Sequence, residues 1–230
     1  MHDTTAEGLV ALGRRVVAAG LVVASGGNLA ARLPGQNRVL VTPRGWALDS
    51  LDVSVLATVG LDGRHISGTY VPSTELALHL AAFGARSDAG VCLHLHPPMA
   101  TLLHTVGRPI RRITTDHAYY LRRLTEVPFV QPGSARLAQA VAAELADADI
   151  VLLRHHGCVI VAESFDVGFS RAANLEAAAV ATYRAHLLGA EAAECPPEFL
   201  AEVEAQEAAG MVYGKATGTR TARVGKADGG

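Results

Sequence analysis

The sequence predicts a single α/β domain of the α+β kind, with a central, mostly antiparallel sheet flanked by helices. Three observations carry this expectation. The chain has 230 residues, half of them hydrophobic, which suits one sizeable core and is short for two. Apolar periodicity switches along the chain between short strand-like runs and longer helical runs. These runs do not alternate strictly as strand, helix, strand, which an all-parallel sheet would require.

Taken in order, residues 5–20 place apolar groups at helical spacing, with Thr4 or Thr5 as the N-cap and Gly20 as the stop. Ser25, Gly26, Gly27 and Asn28 form a turn cluster. Residues 29–33 and 38–42 read as two strands joined by Pro34, Gly35, Gln36 and Asn37. Residues 53–59 read as another strand, followed by a turn at Leu61, Asp62 and Gly63. From Ser73 the spacing becomes helical through Glu75, Leu76, Leu78, His79, Leu80 and Ala82 to Gly84, with Ser73 or Thr74 as the cap. Residues 90–96 form a short buried strand ended by Pro97 and Pro98, and 99–105 a helix. Segment 108–131 is irregular and carries the basic pairs Arg111-Arg112 and Arg122-Arg123, read as interface or surface charges. Residues 134–145 form a strong helix behind Pro132 and Gly133. Two strands, 150–153 and 158–161, surround His155, His156 and Gly157, and Ser164 caps a long Ala-rich helix ending near Gly189. The domain is expected to span 1–214. Residues 215–230, rich in Gly, Thr, Lys and Arg, read as a flexible tail.

Composition narrows the function. Lys and Arg number 20 against 22 Asp and Glu, a formal net charge of −2. A general nucleic-acid or anionic-membrane binder would carry a basic excess, so neither partner is expected. A small anionic substrate needs only a few donors and stays compatible. Cys92, Cys158 and Cys195 are too sparse for a disulfide framework, which points to a reducing compartment. Arg14 and Arg15 follow no long apolar run, the wrong order for a signal peptide. No stretch of about 18 apolar residues is present. A soluble, cytoplasmic protein is expected.

The chemistry concentrates in a few short segments. On a strand, His94 and His96 project to the same face, and Pro97 puts them at its mouth. Two such imidazoles make half of a zinc site; the alternative is a hydrogen-bonded pair in a packed strand. His155 and His156 follow a very apolar strand, where imidazoles without partners are disfavoured, and Gly157 lets the backbone turn closely. Either could be a third ligand, and spacing does not choose between them. Three protein ligands leave a fourth position open, the arrangement of a catalytic zinc. Glu75 opens a helix, where the backbone dipole favours a carboxylate. Three clusters combine hydroxyls, glycines and an amide: Ser25 to Asn28; Thr42, Pro43, Arg44 and Gly45; and Ser73 with Thr74. Together they suit a phosphate or carboxylate, whereas each alone is ordinary turn chemistry.

In this order and spacing, the chain resembles the class II aldolase/adducin family. The markers are Ser25-Gly26-Gly27-Asn28-Leu29-Ala30-Ala31-Arg32, Val41-Thr42-Pro43-Arg44-Gly45, Pro72-Ser73-Thr74-Glu75 with His79, His94-Leu95-His96, and Leu152-Leu153-Arg154-His155-His156-Gly157. They run from the first helix to the Ala-rich helix. The resemblance implies His156 as the third ligand beside His94 and His96, holding Zn²⁺ or another divalent transition metal. It implies Glu75 as the catalytic acid/base, and Gly27, Asn28, Thr42, Arg44, Gly45, Ser73 and Thr74 as the substrate- and anion-binding set. It also implies a homotetramer with sites at subunit interfaces. Tyr213 with Gly214 resembles a C-terminal pair that closes the site, and His155 supports the ligands. The family position of Cys92 is apolar, so it reads as a buried thiol.

Two departures stand out. Arg44 occupies a place where the family often has a small hydroxyl residue. No tyrosine falls within 112–117, where Arg112, Asp116 and His117 stand instead, which makes Asp116 and His117 accessory candidates. The expected reaction is aldol-type cleavage of a sugar-phosphate-like substrate through a metal-stabilised enediolate, with no Schiff base. Decarboxylation of a hydroxy or keto acid on the same metal site is the alternative. A non-catalytic adducin-like assembly module predicts loss of the ligand residues, and all of them are present.

Overall fold

A computed structural model describes residues 2–209. Eight strands form one sheet: β1 (Asn28–Arg32), β2 (Arg38–Val41), β3 (Ala57–Gly60), β4 (His65–Ser67), β5 (Val91–Leu95), β6 (Leu124–Val127), β7 (Ile150–Leu153) and β8 (Gly157–Ala162). Their order is β4-β3-β2-β1-β5-β8-β7-β6. Every neighbouring pair is antiparallel except β6 with β7, so the sheet is mostly antiparallel, as the sequence led us to expect. The helices are α1 (His2–Ala18), α2 (Leu76–Ala85), α3 (Pro98–Thr105), α4 (Thr115–Tyr120), α5 (Ala135–Leu145), α6 (Phe165–Leu187) and α7 (Pro197–Ala208).

Strand alternation divides the core into two layers. Leu29, Ala31, Leu93, Leu95, Ile150 and Ile160 face one side, where they pack with Leu9 and Leu12 of α1 and Leu175 and Ala179 of α6. Ala30, Cys92, Val151, Val159 and Val161 face the other side, covered by Leu78, Ala82 and Phe83 of α2 and Leu137, Val141 and Leu145 of α5. Both faces being covered, β5, β7 and β8 are apolar almost throughout. Cys92 is therefore a buried thiol. His94 shares its parity, which directs it to the layer whose helix α2 follows directly on Glu75.

Some local expectations fail for physical reasons. Helix α1 already includes His2, so Thr4 and Thr5 lie inside it and not at its cap; it ends at Ala18, before the left-handed Gly20. Residues Val53–Val55 form a 3-10 turn, because the Asp52 side chain accepts the Ser54 amide; only from Ala57 does a strand begin. A side-chain-to-backbone bond of this kind competes with the ladder. Position Glu75, not Ser73 or Thr74, is the N-cap of α2. The segment read as irregular contains α4, capped by Thr114, and the edge strand β6. These elements and β4 are too short to show a period. Helix α7 was not foreseen.

The described residues separate into two compact units, one ending at Glu194 and the other beginning at Cys195. Helix α7 lies in the second, and the expected boundary after 214 falls outside the described residues, as does the tail. No helix among the described residues is long and apolar enough to cross a membrane. At the start of β7, the buried Asp149 carboxylate accepts from Arg86 and Arg171, each at 2.8 Å, tying α2 and α6 to the sheet. This hub sits at the opposite end of β7 from His156.

Candidate active site

The site begins with register. Asn28 pairs with His94 across β1 and β5, and Leu95 pairs with Cys158 across β5 and β8. His94 Nδ1 lies 3.0 Å from the Cys158 carbonyl oxygen. A carbonyl only accepts, so Nδ1 carries the proton and Nε2 keeps its lone pair. That Nε2 lies 3.1 Å from His96 Nε2. His156 comes from the three-residue turn between β7 and β8, closed by the Leu153–Gly157 pair. His155 adopts φ 59°, a left-handed conformation uncommon outside glycine. Gly157 is required here: an added Cβ would run into the Leu95 carbonyl oxygen and stand 2.6 Å from His96 Cδ2. Gly27 is comparable, with φ 77° and the His94 carbonyl oxygen 2.9 Å from a Cβ built there.

Thus one ligand-type nitrogen each of His94, His96 and His156 lies within 4.8 Å of the others. Burial, reinforced by the neighbouring imidazoles, pushes His94 well below its ordinary pKa. Burial likewise lowers His96, and brings His156 to about 4. All three are neutral at physiological pH, the protonation state that binds metals. Two nitrogens ~2.1 Å from one tetrahedral ion stand about 3.4 Å apart, close to the His94–His96 spacing. The donor set fits a divalent ion such as zinc, and imidazoles also suit several other transition metals.

Glu75 stands beside this triad. Its backbone N–H donates to Ser73 Oγ at 3.2 Å. Its carboxyl accepts the Gly133 N–H, while Oε2 is buried with no hydrogen-bond partner among the described residues. Burial raises its pKa, and the Gly133 bond opposes that only in part. Gly133 reaches Glu75 because α2 packs on α5, so the loop entering α5 passes over the start of α2.

A cavity of about 200 Å³ joins these groups. The three histidines and Glu75 line it together with Ser25, Gly26, Gly27 and Asn28, with Pro43, Arg44 and Gly45, and with Ser73 and Thr74. The three turn clusters therefore meet at one place. Thr42 does not line it; its hydroxyl is buried and accepts the Leu29 amide at 3.1 Å. His155 is exposed outside the lining, beside the Phe129 ring. Asp116 is exposed and His117 buried within α4, and neither lines the cavity. Tyr213 lies outside the described residues.

Two contributors carried no assigned role in the sequence reading. His79 is fully buried, and its Nε2 lies 2.6 Å from Asn28 Oδ1. Burial lowers it to about 3, so the neutral ring donates to the amide oxygen and leaves the Asn28 nitrogen for the cavity. Its place in the Pro72–His79 marker was the available signal. Gly133 was visible only as a helix-preceding glycine, and no local pattern shows that its N–H meets Glu75.

Comparison with known proteins identifies the family. The model of the family "Class II Aldolase and Adducin N-terminal domain" matches residues 7–183. An L-fuculose phosphate aldolase of Methanocaldococcus jannaschii is 32% identical over 138 residues, 60% of this chain and 73% of that protein. A 3-oxo-tetronate 4-phosphate decarboxylase of Haemophilus influenzae is 33% identical over 159 residues, 67% of this chain and 75% of that one. Among solved structures, an L-fuculose 1-phosphate aldolase superposes with a TM-score of 0.80 at 22% identity, covering 89% of this chain and 96% of its own, a likeness of fold. The YgbL protein of Escherichia coli, described as a candidate aldolase, epimerase or decarboxylase, reaches 0.79 at 28% identity over 87% of this chain and 98% of that one. The chain belongs to the class II aldolase and adducin family, among its metal-dependent lyases.

Proposed function

We propose that the protein is a zinc-dependent carbon–carbon lyase that performs aldol cleavage on a small phosphorylated hydroxy-carbonyl substrate. The observation that carries this reading is the buried Glu75 Oε2, without a partner among the described residues, in the same cavity as three converging imidazole nitrogens. His94, His96 and His156 would hold the ion. Such an ion, when bound there, would supply Lewis acidity toward the charge that bond cleavage leaves on the substrate.

The rest is the work of the chain's own groups. Glu75, its pKa raised by burial, moves the proton at the reacting carbon, the task of a general acid/base poised nearer neutrality. Gly133 holds the other side of the carboxyl and so aims it. Asn28, oriented by His79, and the hydroxyls of Ser73 and Thr74 bind the anionic end. Gly27 and Gly45 allow backbone N–H groups to approach it. Arg44 is the strongest donor at the rim, with a planar guanidinium that meets a phosphate or carboxylate through two bonds.

Arg44 also favours a second reading, decarboxylation, in which it grips a carboxylate; the relatives named as 3-oxo-tetronate 4-phosphate decarboxylases support it. A screen of the zinc-loaded protein against sugar phosphates and phosphorylated keto acids tests both, with aldehyde and CO₂ measured separately. Aldehyde from a sugar phosphate supports the aldolase, and CO₂ without aldehyde turns the assignment to the decarboxylase. Neither product from a metal-loaded protein refutes both. A homotetramer with sites at subunit boundaries and a cytoplasmic location complete the proposal.

A further inference from the structure

The turn that carries His96 has no local means of capping the helix that follows it. Helix α3 begins at Pro98, and Pro97 in the N-cap position makes no side-chain cap. A helix start leaves its first N–H groups without partners, and neither proline has one to offer. The Thr101 N–H already bonds to the Pro97 carbonyl at 2.9 Å. That leaves the amides of Met99 and Ala100, and one carboxylate from the middle of α6 takes both. Glu176 accepts from Met99 at 2.9 Å and 3.1 Å, and from Ala100 at 3.0 Å. A half-buried anion at a helix N-terminus is also favoured by the backbone dipole.

The link from this anchor to the histidines is short and stiff. Pro97 and Pro98 have fixed φ, and a residue before proline is held in extended backbone, so His96 inherits the position of the α3 start. On its other side the helix that carries Glu176 packs against β5 and β8, the strands that present His94 and follow His156. Within β8, the Cys158 carbonyl accepts from His94 Nδ1 at 3.0 Å. The carboxylate thus sits behind the strand ends that present both histidines.

We propose that Glu176 is a positioning residue for the His94, His96 and His156 centre: by clamping the start of α3 it sets the place of His96, and so the affinity of the triad for a divalent ion. This rests on the metal-site reading above. The test measures zinc affinity by chelator competition for the whole chain, for Glu176→Ala and Glu176→Gln, and for Ser164→Ala. Ser164 caps α6 at its far end, accepting from the Val167 amide at 3.3 Å, so its loss reports a general weakening of the helix. Groups behind a metal ligand typically change affinity by about 10–100-fold. Glu176→Ala is expected to weaken zinc binding by that factor, and Glu176→Gln by less, because its amide oxygen still accepts. Ser164→Ala lowers the melting temperature and leaves zinc affinity within about twofold, as independent sites do. Unchanged affinity in the Glu176 variants, or an equal loss in Ser164→Ala, overturns the inference. If Glu176→Ala does not fold, Glu176→Gln decides by the same criterion. A wild-type chain that binds no divalent ion overturns the functional reading as well, whereas a binding wild type with unaffected variants overturns this inference alone.

Discussion

Replacing Glu75 by Gln tests the chemistry and the energetics of the site together. The side chain is buried, its carboxyl accepts one backbone N–H, and its other oxygen has no partner among the described residues. Glutamine keeps the shape and the acceptor for Gly133 but cannot carry the proton. Removing a general acid/base lowers kcat by about 10²–10⁴-fold, or ~3–5 kcal/mol of barrier. Metal content should hold, because Glu75 is outside the converging triad. Stability should move the opposite way. A carboxyl whose folded pKa is raised above its ordinary 4.5 favours folding fully only below its unfolded pKa, and that contribution is lost as pH rises through the folded pKa. At neutral pH the wild type therefore carries a cost that glutamine removes, and the melting-temperature difference between variant and wild type should grow from pH 5 to pH 8. Steady-state kinetics, metal analysis and melts at the two pH values supply the three readings. Turnover within tenfold of wild type, loss of metal, or a variant that falls behind wild type as pH rises would each refute the reasoning.

Other expectations follow from the same geometry. His94→Ala and His156→Ala should each lose bound metal, while His155→Ala, outside the cavity lining, should be milder; elemental analysis after gel filtration distinguishes them, and full occupancy in both of the first two would sink the ligand assignment. The metal-free protein should lose stability as pH falls from about 6.5 towards 3–4, because His156 and His79 stay neutral to about 4 and 3 in the fold and protonate earlier when unfolded; a flat melting profile across that window contradicts it. Asp149→Asn should destabilise by up to about 3–5 kcal/mol, chiefly through the buried Arg171, which loses its 2.8 Å carboxylate partner, whereas Arg86 keeps its pair with Asp88. That corresponds to roughly 6–20 °C in melting temperature with zinc affinity unchanged, and an effect below about 1 kcal/mol would mean that the arginines find other partners.

What could be read from the chain alone depended on physics that acts within a few residues. Period-two alternation was enough to put His94 and His96 on one face, and the apolar runs at 90–96, 150–153 and 158–161 were long enough to identify three central strands. Glycine and proline marked the turns, and the order of the short motifs pointed to the family. Short elements escaped where no period could develop, as in α4, β4 and β6, and where Asp52 turned the backbone away from a strand. The choice between His155 and His156 needed the family resemblance in the sequence. In the structure the hairpin register turns His156 to the cavity and leaves His155 exposed. Only tertiary packing could decide that Thr42 bonds to the Leu29 amide, that the Gly133 N–H reaches Glu75, or that Glu176 caps a helix 76 residues away in sequence. Those contacts depend on which helix covers which face of the sheet, and that is set by the burial of whole apolar layers and not by any neighbouring residue.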